Sequence, residues 1–156
     1  MEDRQFRNAM GKFATGVTVV ATEVDGNVHG MTANAFMSVS LNPKLVVVSI
    51  AEKAQMLEKM KQSKTFSVNI LAADQKELSM IFAGQVKEYQ EVVFQRLGNV
   101  PVLPGAIAQI TCDISASHVE GDHTLFIGKV IDIRLEDAEP LIYFSGKYRK
   151  LADNNE

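Results

Sequence analysis

The sequence predicts an antiparallel β-barrel, closed or nearly closed, with short helices on its outside or ends. Three observations carry that prediction. Between Ala106 and Glu120 the even positions Ala108, Ile110, Cys112, Ile114 and Ala116 are apolar while Gln109, Thr111, Asp113, Ser115 and Ser117 are polar, the period of a long half-buried strand. Gly121-Asp122 then supplies turn chemistry, and residues 124–135 return as a second long strand. Elsewhere short β-branched runs alternate with turn residues, so that roughly six to eight strands and about three short helices account for the chain. Closing such a sheet removes the edges it would otherwise expose.

The elements follow in order. Phe6, Ala9, Met10 and Phe13 share one face of a first helix, with Asp3 as N-cap and Gly16 as stop. Residues 17–22 form a strand, and Asp25-Gly26 reverses the chain into a hairpin. Residues 31–40 interleave hydroxyl-bearing and apolar side chains, a pattern suited to touching something polar. After the Asn42-Pro43 turn, residues 45–50 read as a strand covered on both faces. Met56, Leu57 and Met60 mark a second, short helix, and residues 66–71 another strand. Asp74 and Glu77 have capping-box spacing ahead of a third helix whose buried stripe is Leu78, Ile81 and Phe82, with Gly84 as stop. Residues 85–104 lack periodicity and read as a long excursion over the surface. Gly128 marks a candidate bulge in the second long strand, residues 141–144 add a last short strand, and the basic, aromatic stretch Gly146-Lys147-Tyr148-Arg149-Lys150 follows. With neither repeat nor linker, residues 1–156 read as a single domain whose tail, 151–156, is frayed.

Composition narrows the function. The 156 residues are 46% apolar, 22% charged and 7% aromatic, and a chain of this length buries roughly 70% of its unfolded surface without disulfide or metal. A net charge of −3 argues against nucleic acid or an anionic membrane as partner. Cys112, the single cysteine, lies on the apolar side of its strand as a small core residue, and no Cys/His cluster has metal-ligand spacing. A reducing, cytoplasmic location and metal-free chemistry are the expectation. The N-terminus shows no signal peptide, and the longest apolar run, 45–51, is far short of the roughly 20 residues of a membrane span.

No phosphate-cradling Gly-Lys loop, dinucleotide glycine turn or serine nucleophile elbow is present. Two clusters remain. One is Gly121-Asp122-His123-Thr124, which taken alone is turn punctuation followed by a surface histidine. The other is Thr32, Asn34, Ser38 and Ser40 with Ser49, Ala51 and Lys53. A helix starting near Glu52 would present free N–H groups beside the Lys53 ammonium, a phosphate site. The same residues also suit a closely packed sheet with Lys53 in solvent, and spacing leaves the two readings open.

Three stretches in order carry a resemblance. They are the helix-forming stretch from Phe6 to Thr15 leading into Gly16-Val17-Thr18-Val19-Val20, then Met31-Thr32-Ala33-Asn34-Ala35-Phe36-Met37-Ser38-Val39-Ser40-Leu41-Asn42-Pro43, and Gly121-Asp122-His123, with Phe144-Ser145-Gly146-Lys147-Tyr148 closing the set. Together they resemble the short-chain flavin reductase family over nearly the whole chain, most closely the reductase component of two-component phenol or 4-hydroxyphenylacetate hydroxylases.

That resemblance implies an FMN-binding split β-barrel, Greek-key-like, working as a homodimer with flavin near the subunit interface. It implies flavin contacts from Thr32, Ala33, Asn34, Ser38, Val39 and Ser40. On the phosphate side it implies Ser49, Ile50, Ala51 and Lys53, with Phe82 near the flavin. It also implies nicotinamide contacts from His123, Gly146 and Tyr148. The implied reaction is hydride transfer from NADH to FAD, or to FMN, with reduced flavin supplied to a separate oxygenase that hydroxylates phenols. Such chemistry belongs largely to the cofactors and asks the protein to position two rings. A split-barrel FMN oxidase for another small substrate, or a non-enzymatic flavin-binding protein, stand as alternatives.

Overall fold

The computed structural model describes residues 1–88 and 90–153; the end of the expected frayed tail, 154–156, lies outside the described residues. In chain order the elements are α1 (Asp3–Gly11), β1 (Thr15–Gly16), β2 (Thr18–Val24), β3 (Asn27–Ala33), β4 (Phe36–Leu41), β5 (Lys44–Ala51), α2 (Gln55–Gln62), β6 (Thr65–Ile70), α3 (Lys76–Phe82), β7 (Gln95–Leu97), β8 (Val100–Val102), β9 (Ala108–Glu120), β10 (His123–Leu135), β11 (Ile142–Phe144) and β12 (Lys147–Arg149). Seven strands form one antiparallel sheet in the order β3-β2-β6-β9-β10-β5-β4. Its two edges, β3 and β4, are consecutive in sequence and joined only by Asn34-Ala35, and among the described residues they share no ladder. The sheet is therefore a split barrel, with the gap at that connector.

The turns explain the registers. Asp25 and Gly26 both take positive φ, 51° and 78°, the primed geometry whose twist matches a two-residue hairpin, and Val24 pairs with Asn27 across it. The long β9–β10 hairpin closes at Gly121-Asp122 with Glu120 opposite His123. Its register slips between Ile127 and Gly128, as expected for a bulge there.

The barrel interior holds Val20, Val48, Ile50, Phe66, Val68, Cys112 and Phe126, packed with Met56, Leu57 and Met60 of α2. Alternate residues of β2 point the other way, and Val17, Val19, Leu71, Leu103 and Leu141 build a second cluster against which Phe82, Phe94, Tyr143 and Tyr148 pack. Residues 18–22 and 66–69 are consequently buried without interruption.

Several expectations are corrected. The doubly covered strands are β2 and β6, not 45–50: β5 buries Val46, Val48 and Ile50 but leaves Leu45, Val47 and Ser49 half-buried, because its outer face walls a groove. Helix α1 starts at Asp3 rather than being capped by it, and ends at Gly11. None of its residues is buried, and Phe13, just beyond its end, is 78% exposed. The Asp74–Glu77 capping box does not form. Gln75 holds the N-cap position without a cap bond and its side chain ties two loops instead, accepting from Ala72 N at 2.9 Å and donating to Pro104 O at 3.0 Å. Only Ser79 of α3 is fully buried.

The excursion 85–104 is not wholly a surface loop. Val100, Val102 and Leu103 are buried, and this segment roofs a polar patch on β6 and β9. Ser67 Oγ donates to Pro101 O at 2.7 Å, and Gln109 Nε2 donates to Leu103 O at 2.6 Å. Asn69 Oδ1 accepts from Leu103 N at 2.9 Å.

Candidate active site

Three concavities meet at one residue, Asn34, in the connector between the sheet's edges. The first, a largely apolar groove of about 770 Å³, runs between α1, β1 and the outer faces of β4, β5 and β10, with Phe13, Thr15, Met37, Val47, Ser49 and Leu125 on its walls. The second, of about 760 Å³, is more polar and brings Arg7 and Lys12 together with His123, Tyr143 and Gly146. The third is small, about 180 Å³, and lies between Thr32, Ser79, Gln85, Tyr143 and Tyr148.

The connector is held on both sides. Thr18 Oγ1 donates to Ala33 O at 2.6 Å and Thr32 Oγ1 donates to Ser79 O at 2.6 Å, which fixes the end of β3 against β2 and α3. Phe36 N donates to Asn34 O at 2.9 Å, and Ser49 N donates to Ala35 O at 3.0 Å. The Asn34 side chain is left exposed where the three spaces join.

The sheet brings the two sequence clusters together. Ala51 pairs with His123 across β5 and β10, and Glu52 N donates to Asp122 O at 2.8 Å. His123 Nδ1 lies 2.8 Å from Asp122 Oδ1. That hydrogen bond, followed by the histidine's charge, holds the Asp122 carboxyl below its ordinary value, and Lys53 adds to the effect. Helix α2 begins at Gln55 instead of near Glu52, so Lys53 sits in the turn ahead of the helix rather than in its first turn.

Other expected site residues are placed differently. Ile50 points into the barrel core and is fully buried, so only its backbone faces outward. Ser38, Val39 and Ser40 lie along β4 past the groove's walls, where the register slips. Phe82 lies outside the walls of the three concavities: its ring packs against Gly30, where a Cβ would come within 2.8 Å of it, and edge-on to Phe94 at 5.9 Å. Gly146 and Tyr148 belong to the β11–β12 hairpin, with Tyr148 edge-on to Tyr143 at 5.4 Å and its hydroxyl 2.7 Å from Ser79 Oγ.

Residues missed from sequence include Thr15, Phe13, Leu125, Ser79 and Tyr143. The outward alternation of His123 and Leu125 was a usable signal; the rest depend on tertiary neighbours. Thr15 Oγ1 is buried without a hydrogen-bond partner. An apolar cavity in the usual ligand-site size range, with few polar groups on its walls, fits a planar heterocycle such as a flavin ring.

Residues 10–152 match the family model described as flavin reductase like domain. The chain belongs to that family. It is 46% identical over 148 residues to an NADH-dependent flavin reductase of a Rhodococcus species, covering 93% of this chain and 84% of the relative. It is 38% identical over 147 residues to the reductase component of 4-hydroxyphenylacetate 3-monooxygenase from Thermus thermophilus, covering 94% and 95% of the two chains. The solved structure of flavin reductase PheA2 in its native state superposes with a TM-score of 0.96 at 63% identity, covering 98% of this chain and 100% of that one. These likenesses agree with the split barrel and with the resemblance carried by the motifs around Asn34 and His123.

Proposed function

We propose that this flavin reductase family member catalyses NADH-dependent reduction of FAD, and of FMN, and supplies the reduced flavin to a separate oxygenase that hydroxylates phenolic compounds. The observation that carries this reading is the junction at Asn34, which joins an apolar groove suited to a planar ring to a polar cleft containing His123, Gly146, Arg7 and Lys12. The names of the relatives, an NADH-dependent flavin reductase and a 4-hydroxyphenylacetate monooxygenase reductase component, support it.

The chemistry that flavin supplies when bound is acceptance of a hydride from the nicotinamide of NADH. The chain contributes position. Asn34, Ser49 and the backbone around Ala33 and Ala51 would hold the flavin, with Lys53 toward its phosphate side. His123, oriented by Asp122, and the hairpin carrying Gly146 and Tyr148 would orient the nicotinamide end of the dinucleotide. Arg7 and Lys12 offer positive charge to its phosphates without demanding a basic protein overall. No proton relay is required of His123, since its work is orientation and charge.

The active unit is a homodimer. Support comes from the apolar faces that a single chain leaves bare: Phe6, Met10 and Phe13 around α1, and Met37, Val39 and Leu41 on β4, the last 80% exposed. Sedimentation should return twice the chain mass. Location is cytoplasmic, consistent with a single buried thiol; among the described residues no helix is long and apolar enough to cross a membrane.

The deciding experiment measures NADH and NADPH oxidation with FAD, FMN and riboflavin in turn. Flavin-dependent NADH oxidation is expected, fastest with FAD. Protein that binds flavin but does not oxidise NADH would instead be an oxidase or a carrier, and protein that stays colourless with added flavin would be neither.

A further inference from the structure

We infer that Tyr143 is the aromatic residue of the C-terminal hairpin that touches the nicotinamide end of the dinucleotide, and that Tyr148 is a positioning residue acting through it. This rests on the flavin reductase reading and divides between two tyrosines a role that the family resemblance gives to Tyr148.

The two side chains start from the same place. Tyr143 and Tyr148 are directly opposite on β11 and β12, so both leave the hairpin on one face, and their rings meet edge-on at 5.4 Å. From that contact they diverge. Tyr148 is engaged by α3: its hydroxyl lies 2.7 Å from Ser79 Oγ and Lys76 Nζ stands 5.5 Å from its ring centre. It lines the small cavity but not the cleft that contains His123, whereas Tyr143 lines both. Among the described residues the Tyr143 hydroxyl makes no hydrogen bond, and Thr15 Oγ1 is the only buried side-chain oxygen or nitrogen without a partner, so the Tyr143 hydroxyl is open to solvent. The cleft is thus walled by the tyrosine whose hydroxyl is unengaged, and the engaged tyrosine stands behind it.

Tyr143 is also well held. Its strand is the middle one of a three-stranded sheet, with Thr15 of β1 opposite Tyr143 on one side and Tyr148 on the other. The hairpin turns tightly through Ser145 and Gly146, both at positive φ, 49° and 78°, and Ser145 N donates to Gly11 O at 2.9 Å.

The chemistry of the cleft selects what Tyr143 meets. A phenol hydroxyl can donate or accept, which matches a carboxamide with its N–H donors and carbonyl acceptor. The phosphates are matched by Arg7 and Lys12 in the same cleft. Tyr143 is absent from the walls of the apolar groove suited to the flavin ring, so changing it should leave flavin affinity alone.

The test loads each protein with FAD, titrates it with NAD+ in a calorimeter and then measures the KM for NADH. Tyr143→Phe should raise both values about fivefold, the loss of one hydrogen bond, with kcat little changed. Tyr143→Leu should raise them further while the Kd for FAD, read by quenching of flavin fluorescence, stays at the wild-type value. Tyr148→Phe, which keeps the ring behind Tyr143, should stay near wild type in NADH KM, and Tyr148→Leu should raise it. Because Tyr148 acts through Tyr143, adding Tyr148→Leu to Tyr143→Leu should raise KM no further, a result that two independent structural defects would not give. An unchanged NAD+ Kd in Tyr143→Phe overturns the inference, and this variant decides even if the leucine variants fail to fold. Weaker NAD+ binding in Tyr148→Phe than in Tyr143→Phe returns the contact to Tyr148 and overturns it too, as does loss of FAD affinity in Tyr143→Leu. Wild-type protein that binds no flavin, or binds it without oxidising NADH, overturns the functional reading itself, and that is seen before any variant is made.

Discussion

The hydroxyl of Tyr148 lies 2.7 Å from that of the buried Ser79, and this contact latches the C-terminal hairpin to the helix whose Ser79 carbonyl also receives Thr32. One serine therefore ties β12, α3 and β3 around the small cavity next to Asn34. Ser79→Ala and Tyr148→Phe should each lower stability by about 1 kcal/mol. Because the two hydroxyls answer each other, the double variant should be less destabilised than the sum of the singles, with a coupling of about 0.5–1.5 kcal/mol in a denaturant-unfolding cycle. Strict additivity would show that the latch carries no energy.

The parts of this architecture legible in the sequence are those encoded locally. The β9–β10 hairpin is written in the alternation from Ala108 to Ala116 and in Gly121-Asp122, and α2 in the spacing of Met56, Leu57 and Met60. What failed depended on distant neighbours. The stripe Phe6, Met10 and Phe13 says only that something apolar covers it, and in a single chain it edges grooves instead of a core. Val100, Val102 and Leu103 are too short a run, broken by Pro101, to signal burial, and the segment is anchored by hydrogen bonds of Leu103 with Asn69 and Gln109 and of Pro101 with Ser67, which are distant in sequence. The proposed site rests on motifs around Asn34 and His123 that are contiguous in the sequence. That Ala51 meets His123 across the sheet, that Ile50 and Phe82 face packing, and that Thr15 lacks a partner are non-local facts.

Cys112 should be chemically silent in the native state. Burial, with a smaller contribution from Asp113, pushes its thiol up to about 12, so almost no thiolate exists near neutral pH. A thiol-specific disulfide reagent at pH 8 should react with no group in the folded protein and with one per chain once denaturant unfolds it. Rapid native-state labelling would contradict this packing.

Gly128 is required for contact rather than for backbone freedom. A Cβ there would stand 2.6 Å from Phe66 Cζ and 2.8 Å from Cys112 Cβ, two buried side chains of the barrel core. Gly128→Ala should cost about 1–3 kcal/mol through overpacking. Combining it with Phe66→Leu should cost less than the two changes summed, because the ring that clashes has been removed. Thermal or denaturant unfolding of the four proteins decides it.

Asp122 and His123 give the site a pH dependence with a definite sign. Hydrogen bonding to His123, and then its charge, hold the Asp122 carboxyl below 3.8, its ordinary value. A carboxyl that ionises more readily folded than unfolded adds stability that is fully present above pH 3.8 and is lost as pH falls through the lower folded value. Asp122→Asn should therefore unfold slightly earlier than wild type above that pH and converge with it in stronger acid, the gap staying small because the pair is exposed. The kinetic consequence should be larger than the energetic one, since Asp122 orients the imidazole at Nδ1. His123→Ala should weaken NADH turnover while leaving the Kd for FAD unchanged, and Asp122→Asn should move the NADH KM in the same direction by a smaller factor. Loss of FAD affinity in His123→Ala with NADH kinetics intact would place His123 on the flavin side of the junction at Asn34.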